Sequence, residues 1–107
     1  VIPGIRKELG KIESIDFGMG GYDDAMLGFS VTLSGDAWSV GDFKGFWAPN
    51  VRGGDDCMGA YAEAMAWAGV LMLSAKKAKL RDLVGVPVEV TFDGNVLKSW
   101  RVLKEVL

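Results

Sequence analysis

Two kinds of apolar periodicity run along this chain, and they change over once. From Ala25 to Leu33, Leu27, Phe29, Val31 and Leu33 alternate with Met26, Gly28, Ser30 and Thr32, the two-residue period of a half-buried strand. Lys11 to Phe17 repeats the pattern more briefly, with Ile15 and Phe17 on one face and Ser14 and Asp16 on the other. Between them, residues 18–24 hold three glycines and two adjacent acids, which predicts a loop and an N-terminal hairpin. Ser34-Gly35-Asp36 turns the chain again. Residues 37–47 then set Trp38, Val40, Phe43, Phe46 and Trp47 among glycines, as a third irregular strand or an aromatic loop.

The period lengthens after residue 54. Asp55 or Asp56 can cap a helix by accepting amide protons of its first turn, and an alanine-rich stretch follows to about Lys79. Lys76, Lys77 and Lys79 sit where the helix dipole favours positive charge. Beyond Gly85, residues 86–92 and 96–106 are β-branched runs flanking Asp93-Gly94-Asn95, a strong C-terminal hairpin signal. Pro87, without an amide proton, belongs at a strand start or an unpaired edge. These elements predict a single α+β domain over residues 1–107. Its mainly antiparallel sheet, an N-terminal hairpin plus a C-terminal hairpin, packs on one long α-helix. Residues 1–10 read as a flexible or weakly structured arm, and the amino end as a trimmed end without the long apolar core of a signal peptide.

The helix poses a question of association. Met58, Tyr61, Ala62, Met65, Ala68, Gly69 and Met72 make one apolar stripe for the sheet, yet Ala60, Ala64, Trp67, Val70 and Leu71 occupy another side. No charge falls between Ala64 and Ala75, a run too short to cross a bilayer, which needs about 20 apolar residues. One sheet covers one face. Trp67, Val70 and Leu71 are therefore the expected interface of a homodimer.

Composition narrows the chemistry. Among 107 residues, 12 basic and 14 acidic side chains give a net charge of -2, so general nucleic-acid or membrane binding is not expected. The acids concentrate in the first half, the bases in the last third. Such asymmetry suits attraction within the fold, or a partner surface. The chain has no His and a single Cys57, which removes the usual general base, His-containing metal sites, Ser-His pairs and an internal disulfide. Cys57 lacks a catalytic partner and reads as an inert thiol suited to a reducing cytoplasm.

Three groups remain as candidates. Gly18-Met19-Gly20-Gly21-Tyr22 can form a backbone concavity for an anion, but no Gly-Lys-Ser/Thr follows and Asp23 and Asp24 would repel phosphate, which favours a plain hairpin loop. Asp23, Asp24, Asp36, Asp42, Asp55 and Asp56 can supply oxygen ligands, and if they converged a metal-dependent hydrolase of nucleotides or nucleic acid would follow. Their spacing suits turns and caps better, so neither metal nor cofactor is expected. Tyr22, Trp38, Phe43, Phe46 and Trp47 can line a pocket that stacks a base or clasps a partner, with Lys44 and Arg52 neutralising a phosphate. A single-stranded nucleic-acid accessory protein is the corresponding alternative.

Residues 11–30, Trp38 with Gly41-Asp42-Phe43, and residues 85–103 (GVPVEVTFDGNVLKSWRVL) together resemble small uncharacterised proteins of tailed bacteriophages and prophages. The chain departs from them in its helix, which is more polar in those relatives. The resemblance implies a phage or mobile-element origin and a host-cytoplasmic setting, and it transfers no activity to any residue. The resulting expectation is a non-catalytic binding protein that captures a host protein or small ligand, inhibition of a host defence system being its most concrete form. Gly20, Gly21, Tyr22, Trp38, Phe43, Lys44, Phe46 and Trp47 are the expected contact residues.

Overall fold

A computed structural model describes residues 4–20, 26–47 and 54–107, with the side chains of residues 46, 47 and 54–61 excepted. The architecture is α+β. Strands β1 (Ile5–Gly20), β2 (Met26–Ser34), β3 (Ser39–Trp47), β4 (Pro87–Asp93) and β5 (Val96–Val102) form one antiparallel sheet in the order β3-β2-β1-β4-β5. Helix α1 (Gly54–Ala75) lies between β3 and β4 in sequence, followed by a 3-10 turn at Leu80–Leu83.

The sheet curls because its central strand changes neighbour partway. Ile5 to Lys11 pair with β4, whereas Lys11 to Gly20 pair with β2, and a register shift between Ile12 and Ser14 marks the hand-over. Further shifts occur at Leu27/Gly28 and Thr91/Phe92. An extra residue on one strand bends and twists a ladder locally, so three such irregularities roll the sheet into a half-barrel. Residues 5–10 are thus half of the strand that joins the two wings, not a loose arm. Their short alternation, with Ile5 and Leu9 exposed on the outer face, lacks the buried apolar side that made β2 legible.

The concave face holds the core. Ile12, Leu33, Leu83, Val88 and Val90 are completely buried, and Ile15, Val31, Phe92 and Val102 nearly so. Burying one such side chain contributes about 1.5–3 kcal/mol. Pro87 opens β4 opposite Lys11, and its carbonyl accepts a hydrogen bond from Leu103 N–H at 3.0 Å. Gly94 makes the β4–β5 turn at φ +64°, where a side chain would be strained.

Helix α1 fills the open side of the half-barrel, touching β3, β5 and the 3-10 turn. It ends at Ala75, earlier than the lysine run suggests. Lys76 adopts a left-handed φ of +58°, its N–H bonds to the Leu73 carbonyl at 3.1 Å, and Lys77 N–H reaches Met72 at 2.9 Å. This is a Schellman stop with lysine where glycine is usual. The lysines therefore follow the helix and do not occupy its last turn.

Candidate functional site

The faces of α1 divide differently from the sequence expectation: Ala68 and Met72 turn inward and Val70 outward as expected, but Ala64, Trp67 and Leu71 turn inward and Met65 and Gly69 outward. Ala64, Ala68, Leu71 and Ala75 form the buried row, flanked by half-buried Trp67 and Met72, whereas Met65, Gly69, Val70 and Leu73 are exposed. Leu71, at 7% exposure, is a core residue and Trp67 is wedged against the sheet, so neither forms an outward-facing surface for a second copy. Of the three expected interface residues only Val70 lies outside. With apolar groups all round the helix, periodicity could not rank its faces. The indole of Trp67 did so, because it alone is large enough to bridge from Phe29 on β2 (centroids 5.7 Å apart) to Trp100 on β5 (6.2 Å).

Those contacts continue across the half-barrel. Trp100 Nε1 donates a 2.8 Å hydrogen bond to Asp42 Oδ2, joining β5 to β3, the two opposite edges of the sheet. Five strands curled through this arc bring residues 58 positions apart into direct contact. The Trp67–Trp100 pair lines two cavities.

The first is a groove of about 650 Å³ between α1 and β5. Trp67, Val70, Leu71, Trp100 and Val102 make it apolar. Its polar rim consists of Glu63 and Ser74 on the helix, and Arg101 and Lys104 beside the strand. Arg101 is already engaged, with Glu89 at 3.2 Å and both carboxylate oxygens of Glu105 at 3.0 and 2.9 Å. These partners raise the Arg101 pKa, and the guanidinium holds the Glu105 carboxyl down at about 2. Lys104 is exposed and forms no ion pair among the described residues. The second is a smaller, mostly polar pocket of about 270 Å³, lined by Asp42, Lys44, Lys98, Ser99 and the same two indoles.

The expected aromatic contact surface is dispersed. Trp38 folds over Gly10, where any Cβ would sit 2.7 Å from its ring, and meets Phe92 edge-on at 5.3 Å. It completes the core. Phe43 lies opposite Ser30 and covers Gly20 and Gly45, whose absent side chains admit the ring. Gly20 is consequently a buried strand residue, and residues 18–20 extend β1 where a loop was expected. Lys44, one position from Phe43, projects to the opposite face, into the polar pocket. Gly21, Tyr22, Asp23 and Asp24 lie outside the described residues, as do the side chains of Phe46, Trp47, Asp55, Asp56 and Cys57.

Among the described residues, no three His, Cys, Asp or Glu side chains converge to hold a metal. Asp42 is bonded to Trp100, and Asp36 is exposed beyond β2. Nor do the described ion pairs join the acidic first half to the basic end. Arg6–Glu8, Lys7–Glu89, Arg101–Glu89 and Arg101–Glu105 all lie within β1, the C-terminal strands and the turn after them. No described helix is long and apolar enough to cross a membrane.

The groove between α1 and β5 escaped the sequence reading, although the reading singled out Trp67, Val70 and Leu71, which all line it. Its other side, Trp100 to Lys104, lies about 30 positions away, and nothing in local spacing relates the two. No protein-family profile, curated protein or solved structure matches this chain.

Proposed function

We propose that this chain is a non-catalytic binding protein that captures a small ligand in the groove between α1 and β5. The groove itself carries the reading: about 650 Å³, apolar in its floor, with a few polar groups at its rim. Those are the dimensions and chemistry of small-molecule sites, which span about 300–1,000 Å³ and combine hydrophobic walls with sparse orienting groups. The phage resemblance of the two end segments supports a role in the host cytoplasm, where ligand capture can deprive a host defence system of a signal.

A neutral fluorescent naphthylamine, N-phenyl-1-naphthylamine, tests the groove directly. It should bind saturably at one site per chain. Ala66 is exposed at the groove wall, so Ala66→Trp adds an indole there without disturbing the buried helix row, and should abolish binding. Leu73→Glu, outside the groove lining, should leave binding intact. Absence of saturable binding, or full binding by Ala66→Trp, overturns the proposal.

The exposed row Met65, Gly69 and Leu73 supports a weaker contact with a second copy of the chain. From Met65 to Leu73 the row is about 13.5 Å long, and at a helix width of about 10 Å it offers a strip of roughly 140 Å². That is far less than the roughly 800 Å² per partner of a stable interface. Self-association should therefore be seen by sedimentation only at high concentration, and a tight dimer would refute this estimate.

A further inference from the structure

The polar pocket adjoins the groove at Trp67 and Trp100. We propose that it receives the anionic end of the ligand, so that the molecule captured is a soluble amphiphilic organic anion; this rests on the groove reading above. Trp67 and Trp100 line both cavities, so the two adjoin at this indole pair, where an apolar body in the groove can present a charged group to the pocket. The polar pocket is lined by Lys44 from β3 and Lys98 from β5, two strands that meet only because the sheet curls. Neither lysine enters an ion pair among the described residues.

The acid beside them, Asp42, accepts the Trp100 N–H. That bond holds the carboxylate against Trp100, and the two ammonium groups leave the pocket a net charge of +1. On the groove side Arg101 is satisfied by Glu89 and Glu105, and the rim charges of Lys104 and Glu63 offset each other, so the excess positive charge is that of the polar pocket. Charge complementarity thus favours an anion over a cation or a neutral molecule, with lysines from two elements as its partners.

Two probes of similar shape separate this inference from the one beneath it. N-phenyl-1-naphthylamine is neutral, and 8-anilinonaphthalene-1-sulfonate carries one sulfonate on the same ring system. The wild-type chain should bind the sulfonate more tightly, and added salt should erode that advantage through screening. Lys44→Glu/Lys98→Glu should weaken sulfonate binding about tenfold while changing the neutral probe less than about twofold. Lys44→Gln/Lys98→Gln should fall between. Both lysines are exposed, and an unchanged thermal melt verifies that the variants fold. Equal effects on the two probes, or none on the sulfonate, overturn the anion inference while neutral binding upholds the groove. Loss of both probes from the wild type removes the groove reading itself.

Discussion

Replacing Trp100 by Phe probes the connection that holds the half-barrel closed. The substitution deletes the indole N–H and leaves Asp42 without the partner it has at 2.8 Å. A hydrogen bond to a charged group contributes about 1.5–3 kcal/mol, and both residues here are half-buried, which favours the low end. The smaller ring also weakens the edge-on contact with Trp67, worth about 0.5–1 kcal/mol more. The expected loss is about 2–2.5 kcal/mol. With a urea m-value near 2 kcal/mol/M for a chain of this size, the unfolding midpoint should fall by about 1 M. Combining Trp100→Phe with Asp42→Ala isolates the pair, because packing losses cancel around the double-mutant cycle. A coupling energy of about 1–1.5 kcal/mol is expected. Coupling below about 0.3 kcal/mol would refute the idea that this bond fastens the two sheet edges, and would leave the curl to strand irregularities alone.

Two further outcomes follow from local geometry. Lys76→Gly should stabilise the chain by about 0.5–1 kcal/mol, since a residue with a Cβ pays for the left-handed φ of +58° and glycine does not; a thermal melt should rise by several degrees, and a lowered melt would contradict the Schellman assignment. Glu105 titrates at about 2 in the folded chain, below its ordinary 4.5, so its stabilising contact with Arg101 is fully present above about pH 4.5 and is lost as pH falls through 2. The difference in urea midpoint between wild type and Glu105→Gln should therefore be level at neutral pH and shrink toward zero on acidification, and a pH-independent difference would rule out that linkage.

What local sequence could determine was the identity of elements whose buried side repeats regularly. Leu27 to Leu33 spell out a half-buried strand because every second side chain enters one core, and Gly94 follows from the backbone angle its turn requires. The absence of His was equally decisive, since a missing side chain type needs no fold to interpret it. The first residues of β1 were not legible. Their partner, β4, begins 82 positions after Ile5, and their outward side chains Ile5 and Leu9 carry no amphipathic signature.

Tertiary structure alone decided which side of α1 is inside and where a ligand can sit. A helix free of charges from Ala64 to Ala75 has no preferred face by hydropathy, so shape selected Trp67 and Leu71 for burial and left Met65 and Leu73 in water. The groove and the lysine pocket arise only when the sheet curls enough for β3 to meet β5. Hydrophobic periodicity records how each segment divides between core and solvent, but the meeting of distant edges depends on accumulated twist and on one hydrogen bond between Trp100 and Asp42.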